Sequence, residues 1–279
     1  MSEEFVTKRD LCFAEVEGVE LRLDLHLPAG PGPHLVVVYI HGGGWVTGDK
    51  AEGDGTRLIA MAAAGVAVAS INYRLAPDAK HPAQVHDAKA AVRWLRANGA
   101  EHGLDTARVA TWGASAGGYI ATMLGLTVGD REFEGSVGAH LDQSSAIEAV
   151  VAWFSLGDMV ASTRRSALEA AVLPPPFEAA LLGQDSFEAN DPVLLAANPV
   201  ARITPAAPPF LIAHGDRDQV VPESQGRTLH DALVRGGGDS TFMALGGVGH
   251  EDAAFDRDPV IAMTAAWLRS RLMPDSAAN

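Results

Sequence analysis

The feature that most constrains this chain is a serine enclosed by small residues in the stretch GASAGG, residues 113–118. The residues before it, RVATW, are β-branched and aromatic, which is typical of a short buried strand. The residues after it, YIATMLGLTV, are apolar at helical spacing. Ser115 is therefore predicted at a strand-to-helix junction, where glycines relieve the crowding of a sharp turn. This is the context of the G-x-S-x-G elbow that presents a nucleophilic serine.

Two other interpretations of this glycine-rich turn are an idle turn and a loop that cradles phosphate. A P-loop ends in a Lys-Ser/Thr pair, and a dinucleotide-binding loop has glycine where Ser115 stands, so neither phosphate site fits. The strand before the turn and the helix after it favour the nucleophile over the idle turn.

Composition and charge exclude several classes of function. The chain has 279 residues, of which 47% are hydrophobic, and a net charge of −14. Its length suits one large α/β domain, and its acidity disfavours nucleic acid and anionic membranes as partners. The single cysteine, Cys12, excludes an internal disulfide and a cysteine-based metal site. Without a signal peptide or a membrane-length apolar run, the sequence predicts a soluble, cytoplasmic protein.

Short apolar runs with β propensity alternate with helical segments along most of the chain. This alternation predicts an α/β fold with a mostly parallel sheet and helices on both faces. Residues 11–27 alternate polar and apolar around Gly18, which predicts a hairpin-like pair of strands. Residues 157–207 break the alternation with two apolar segments split by prolines. We interpret them as a small cap inserted into a single domain of residues 1–279, the alternative being extra packing helices.

A nucleophilic serine needs a base, and the base needs an orienting carboxylate. In this kind of sheet the three lie on loops after strands, in the order serine, acid, histidine. His250, after the last predicted strand, has the position of the base, whereas the other histidines end earlier strands, lie in helices or belong to no motif. The acid falls on the loop of FLIAHGDRDQVVP, where spacing does not separate Asp216 from Asp218. An alternative role for Asp216 is an Asx turn within its own loop.

The glycines of HGGGW, residues 41–45, follow the first central strand. Glycine backbone approaches a ligand closely, so its amides are candidate donors to the oxyanion of a tetrahedral intermediate. The amide of Ala116, directly after the serine, is a further candidate donor. The alternative is that HGGGW is only a flexible loop.

Five motifs together resemble the hormone-sensitive-lipase-like branch of the α/β-hydrolases over residues 20–272. They are HGGGW, INYRLAP with HPAQVHDAKAAVRWL, GASAGG, FLIAHGDRDQVVP and GVGHE. The resemblance is strongest to small esterases of the feruloyl-esterase-like and arylformamidase-like kind, and it implies an α/β-hydrolase fold with an eight-stranded, mostly parallel sheet. It further implies a set of site residues. The nucleophile would be Ser115, the acid Asp218, the base His250, and the oxyanion donors Gly43, Gly44 and Ala116. It also implies a structural hydrogen bond at Asp87.

The resemblance implies a carboxylesterase that cleaves small to medium esters through an acyl-enzyme, without metal or cofactor. Three alternatives remain open: an arylformamidase or other amide hydrolase, a dehydratase or cyclase, and a ligand receptor. Such receptors typically lack one triad residue, and all three residues are present here. The expected partner is a small-molecule ester, and the sequence leaves a homodimer open.

The pocket is expected to be open. The N-terminal extension that forms half the cap in lipase-like members has no counterpart in this sequence, which predicts a small cap. Residues 130–147 are polar and are predicted to form a mobile surface loop. The candidate substrate-contacting side chains are Trp45, Trp153, Phe177 and Leu181.

Overall fold

A computed structural model of the chain describes residues 5–164, 176–188 and 190–273. Its centre is an eight-stranded sheet in the order β1-β2-β4-β3-β5-β6-β7-β8. β2 pairs antiparallel with β1 and with β4, and all other neighbours are parallel, which confirms the predicted mostly parallel sheet. The strands are β1 (Phe5–Val16), β2 (Val19–Pro28), β3 (His34–Ile40), β4 (Ala67–Ile71), β5 (Leu104–Ala114), β6 (Ala149–Trp153), β7 (Phe210–Gly215) and β8 (Ser240–Leu245).

Helices cover both faces of the sheet, as the alternating pattern predicted. In the described residues they are α1 (Ile59–Ala63), α2 (Ala83–Asn98), α3 (Ala116–Leu126), α4 (Arg131–Glu134), α5 (Met159–Ser162), α6 (Phe177–Leu182), α7 (Pro192–Ala196), α8 (Glu223–Arg235) and α9 (Asp258–Leu272). A π-helical turn (Asp54–Leu58) precedes α1, and 3₁₀ turns cover Gly99–His102, Pro199–Arg202 and Ala253–Asp256. In the part of the chain that the structure describes, no helix has the length and apolarity needed to cross a membrane.

The continuous apolar run of β3 reflects burial on both faces. Val36, Val38 and Ile40 point into the core under α2, α3 and α8, while Val37 and Tyr39 point into the core under α1 and α9. All five side chains are fully buried. The two cores hold the sheet rigidly, so the loops at the carboxyl ends of the parallel strands start from fixed positions.

The inserted segment 157–207 is described only in part, because residues 165–175 and 189, including Pro174 and Pro175, lie outside the described residues. Its two ends are held at one point by Asn198. The Asn198 side chain accepts a hydrogen bond from the amide of Met159 at 3.0 Å and donates one to Asp158 at 3.2 Å. Gln225 on α8 secures the same point, since its side-chain oxygen accepts from the amides of Gly157 and Asp158.

The polar segment 130–147 is anchored to α2 rather than being the free surface loop that its composition predicted. The carboxylate of Glu134 lies 2.7 Å from the buried ammonium of Lys89 and 3.3 Å from the guanidinium of Arg93. Phe133, next to it, is fully buried. The prediction counted polar residues as solvated, whereas Glu134 is the counter-ion of two cations buried on α2.

Candidate active site

Ser115 occupies a strained turn between β5 and α3. Its backbone has φ 53° and ψ −119°, a region that residues with a side chain rarely adopt. The flanking glycines are required by close backbone contacts. A β-carbon on Gly113 would lie 2.1 Å from the carbonyl oxygen of Gly117, and one on Gly117 would lie 2.0 Å from that of Ile40. The small-residue cage therefore lets three stretches of backbone meet around one serine.

The structure brings Ser115, His250 and Asp218 together, although the serine and the histidine are separated by 135 positions. The Ser115 Oγ lies 3.0 Å from Nε2 of His250, and Nδ1 of His250 lies 2.7 Å from Oδ2 of Asp218. A carboxylate only accepts, so Nδ1 carries the proton and Nε2 accepts the serine hydroxyl in the neutral ring. The three side chains follow β5, β7 and β8, and the two hydrogen bonds join them into one continuous chain.

The two loop aspartates have different surroundings. The Asp218 side chain is fully buried, and its Oδ1 accepts from the amides of Val220 at 2.9 Å and Val221 at 2.8 Å. Burial opposes its ionisation, but hydrogen bonds from His214, His250 and the Val221 amide outweigh burial and hold the pKa of Asp218 well below its usual range. Asp218 is therefore a fixed negative charge beneath His250.

Asp216 is exposed and serves a different contact. Its carboxylate accepts from the amide of Gly247 at 2.6 Å, on the loop that carries His250. The alternative role, an Asx turn within its own loop, is not observed, because the bonded amide belongs to the neighbouring loop. Asp216 joins two loops but does not contact the histidine ring.

Two further side chains support the acid and the base. His214 is fully buried, with Nε2 at 2.8 Å from the carbonyl of Val221 and 3.4 Å from Oδ2 of Asp218. The ring of Phe154 meets that of His250 edge to face, with centroids 5.0 Å apart. Neither contact was predicted from the sequence. The signal for His214 was its place in the same motif as Asp218.

The HGGGW loop lies alongside the elbow. Gly43 and Gly44 have φ of 93° and 59°, and a β-carbon on the preceding Gly42 would lie 3.5 Å from Cβ of Ser115. Within the described residues, the amides of Gly43, Gly44 and Ala116 have no protein acceptor. These amides are consequently available as hydrogen-bond donors.

Tyr73 holds the start of this loop from below. Its hydroxyl lies 3.1 Å from the carbonyl oxygens of both His41 and Gly42, and its ring stacks on His41 at 4.3 Å. Nearby, the buried carboxylate of Asp87 pairs with Arg74 at 2.7 Å, which is the structural bond that the resemblance implied. Tyr73 belongs to the INYRLAP motif but was not singled out from the sequence.

The four candidate substrate-contacting side chains have different positions. Trp153 is fully buried on the α9 side of the sheet, between Trp112 and Phe255, and Leu181 is fully buried in the opposite core, so neither lines the site. Trp45 is 4% exposed, and its indole nitrogen donates to the carbonyl of Ala116 at 3.1 Å. Trp45 thus fastens the HGGGW loop to α3.

Phe177 alone among the four is open to solvent above the site. It is 55% exposed, and a β-carbon on Gly44 would lie 2.7 Å from Cδ1 of its ring. The first turn of α6 therefore lies directly over the HGGGW loop. Beside it runs a groove of about 530 Å³, lined by Val46, Pro77, Lys80, Pro176, Phe177, Ala179, Ala180, Gly183 and Asp185.

The sheet order, the elbow after β5, the acid after β7 and the histidine after β8 define an α/β-hydrolase. The BD-FAE family model matches residues 23–233 of the chain. The chain belongs to the BD-FAE family.

Comparison with known proteins gives a consistent set of similarities. Esterase LipC of Mycobacterium tuberculosis is 33% identical over 80% of this chain and 54% of its own length. The isoprenylcysteine alpha-carbonyl methylesterase ICME of Arabidopsis thaliana is 30% identical over 86% of this chain and 55% of its own. The chain thus spans about half the length of the curated relatives it matches. A truncated form of a carbohydrate esterase from gut microbiota superposes with a TM-score of 0.87 at 27% identity, covering 97% of this chain and 98% of that one.

Proposed function

We propose that this protein is a carboxylic ester hydrolase with Ser115 as nucleophile, His250 as base and Asp218 as the orienting acid. The observation that carries the proposal is the continuous hydrogen-bond chain from the serine hydroxyl to a buried carboxylate, at 3.0 and 2.7 Å. The names of the relatives support the same chemistry, since those compared above are described as esterases or a methylesterase.

Acylation begins when Oγ of Ser115 attacks the ester carbonyl carbon and Nε2 of His250 takes the hydroxyl proton. The carbonyl oxygen becomes an oxyanion, which accepts from the amides of Gly43, Gly44 and Ala116. The charge of Asp218 stabilises the imidazolium and keeps its Nδ1 proton directed at the carboxylate. When the tetrahedral intermediate collapses, the carbon–oxygen bond to the alcohol breaks, and His250 returns the proton to the leaving alkoxide.

Deacylation repeats these steps with water as nucleophile. His250 removes a proton from the water as it attacks the acyl carbon, and the same amides hold the second oxyanion. Collapse breaks the bond to Oγ, which recovers its proton from His250, and the carboxylic acid departs. Every proton in the cycle passes through Nε2 of one histidine, and no metal or cofactor enters any step.

The inserted segment belongs to the same proposal. We assign residues 1–279 to one domain, with 157–207 as a cap whose helix α6 places Phe177 over the HGGGW loop. The clamp at Asn198 fixes where this cap leaves the domain. Among the cap residues that the structure describes, Phe177, half exposed beside the groove, is in the best position to contact a bound ester.

The test is a panel of p-nitrophenyl esters from acetate to decanoate, with feruloyl esters and N-formylkynurenine measured beside them. The proposal expects ester turnover that is lost in the Ser115→Ala variant. Turnover of N-formylkynurenine with inactivity on all esters would instead assign an amide hydrolase. If no compound in the panel is turned over in a Ser115-dependent way, the proposal of a hydrolase is overturned.

A further inference from the structure

Arg57 is a buried cation close to the triad but outside it. Its side chain is 6% exposed, in the π-helical turn that precedes α1. Nη1 lies 2.9 Å from Oε1 of Glu251, and Nε lies 2.7 Å from Oδ1 of Asp256. The guanidinium also reaches the Tyr39 hydroxyl at 3.3 Å and lies 5.8 Å from the centroid of the Trp153 ring.

Both carboxylates belong to the chain that leaves His250. Glu251 is the residue directly after the histidine, and its φ of 53° is a conformation that costs free energy unless neighbouring contacts hold it. Asp256 ends the 3₁₀ turn that follows. Arg57 therefore fixes this segment at two places, and the first of them is one peptide bond from the base.

Glu251 also faces the HGGGW loop. A β-carbon on Gly42 would lie 3.6 Å from Oε2 of Glu251 and 3.5 Å from Cβ of Ser115. Glu52 faces the same place: burial and the charge of Glu251 raise its pKa, against the opposing effects of Arg57 and a hydrogen bond with the Gly42 backbone. The charge of Arg57 thus acts on both Glu251 and Glu52, the two acids that face Gly42 of the HGGGW loop.

We propose that Arg57, acting through Glu251, is a positioning residue that sets His250 and the HGGGW loop in register with each other. The inference rests on the proposed function, since register matters only if both loops serve one transition state. A buried ion pair is a poor device for stability alone, because desolvation cancels much of its attraction. Its fixed geometry, in contrast, suits a role in alignment, and a misplacement of about 1 Å can cost around a hundredfold in rate.

The experiment compares Arg57→Met, Arg57→Lys and Glu251→Gln with a matched control, Arg93→Met. Arg93, on α2, is a similarly buried guanidinium paired with a carboxylate, that of Glu134. We expect Arg57→Met to lower kcat by at least about tenfold with KM changed less than about threefold. Arg93→Met should leave kcat within about twofold even if its Tm falls, because it contacts neither loop. The Lys variant should recover part of the loss.

The pH profile of kcat/KM supplies a readout that folding defects do not move. The charged and titratable groups around His250 are Asp218 and His214 beneath the ring and Glu251, Asp256, Glu52 and Arg57 beside it, with the Tyr39 hydroxyl next to Arg57. Arg57→Met removes the cation and should shift the acidic limb of this profile to higher pH by roughly half a unit. Glu251→Gln removes a negative charge and should shift the limb to lower pH. The control should leave the limb in place.

A fluorophosphonate probe separates this inference from the proposed function. Oγ of Ser115 attacks phosphorus, the phosphorus–fluorine bond breaks, fluoride leaves, and His250 accepts the serine proton. A wild type that neither labels nor hydrolyses esters overturns both proposals. A wild type that does both, with Arg57→Lys and Glu251→Gln matching it in labelling rate, kcat and pH profile, overturns only the role of Arg57. The last two variants decide the matter if Arg57→Met does not fold.

Discussion

Asp216 accepts a hydrogen bond from the amide of Gly247 at 2.6 Å, and this contact ties the loop after β7 to the loop after β8. Two residues further along the first loop, Asp218 binds the ring of His250 at 2.7 Å. Two acids of one loop thus hold the histidine loop in two ways, one through its backbone and one through the base itself.

Asp218→Asn should reduce kcat/KM far more than Asp216→Asn. An amide at 218 no longer fixes the Nδ1 tautomer or stabilises the imidazolium, a loss on the order of 10⁴ in rate. The side-chain oxygen that remains in the Asp216→Asn variant can still accept from Gly247, so we expect less than about a tenfold loss there. Steady-state kinetics on p-nitrophenyl butyrate would measure both, and a more severe defect at 216 would reverse the assignment.

Ser115→Ala should abolish turnover, by many thousandfold, while leaving the protein folded. The substitution removes the only atom that forms a bond to substrate, and alanine is small enough for the elbow. Thermal unfolding and circular dichroism check the fold. Near-normal turnover by a folded variant is the outcome that this assignment does not survive.

Gly117→Ala should destabilise the fold by about 2 kcal/mol or more, because the new methyl would lie 2.0 Å from the carbonyl oxygen of Ile40. Gly55→Ala is the matched control. Nothing lies within 4 Å of a β-carbon there, so a change within about 0.5 kcal/mol is expected. Urea unfolding of the two variants measures the difference, and equal stabilities would contradict the packing argument.

His41 should make the protein less stable in mild acid. Burial lowers the pKa of His41 from 6.5 to about 4, so folding favours the neutral ring. The resulting stabilisation is complete above pH 6.5 and is lost as pH falls towards 4. Through proton linkage, the free energy of unfolding should fall by about 2 kcal/mol between about pH 7 and pH 5. Urea unfolding of wild type and His41→Asn at both pH values isolates this term, and equal losses in both proteins would refute it.

Phe177→Ala and Leu181→Ala should have different effects, although both side chains lie on α6. The exposed Phe177 covers Gly44, so its truncation should extend the preferred acyl chain by a few carbons, each worth about 0.8 kcal/mol, or roughly fourfold in kcat/KM. Leu181 is buried in the core, and its truncation should cost about 2–5 kcal/mol of stability without changing the profile. Kinetics across the p-nitrophenyl series would show an unchanged profile for Phe177→Ala if the groove binds no acyl group.

The sequence was most informative where a residue type is required locally. The cage around Ser115 could be read without a structure, because only glycine permits the contacts at positions 113 and 117. The order of the parts along the chain selected His250 in the same way. Spacing did not separate Asp216 from Asp218, since both follow β7, and only the direction of each side chain in space distinguishes them.

Predictions for the pocket were less successful because they depend on which way a large side chain points. Trp153 ends β6 and Leu181 lies in the inserted segment, yet each points into a core. Arg57 was missed for a related reason. It is far in sequence from the carboxylates it contacts, and its partner Glu251 is 194 positions away by their residue numbers.

The clamp at Asn198 holds together the two ends of the inserted segment, which favours exchange of the residues between them. Because the Asn198 side chain bonds Asp158 and Met159, the two ends of the segment lie next to each other where the chain leaves β6 and returns towards β7. The clamp thus closes the connection between β6 and β7 next to the sheet, while Leu181 packs the middle of the segment into the core. We expect loops of other lengths to be graftable there when they keep an apolar residue in the place of Leu181, so that new substrate preferences can be built above an unaltered triad.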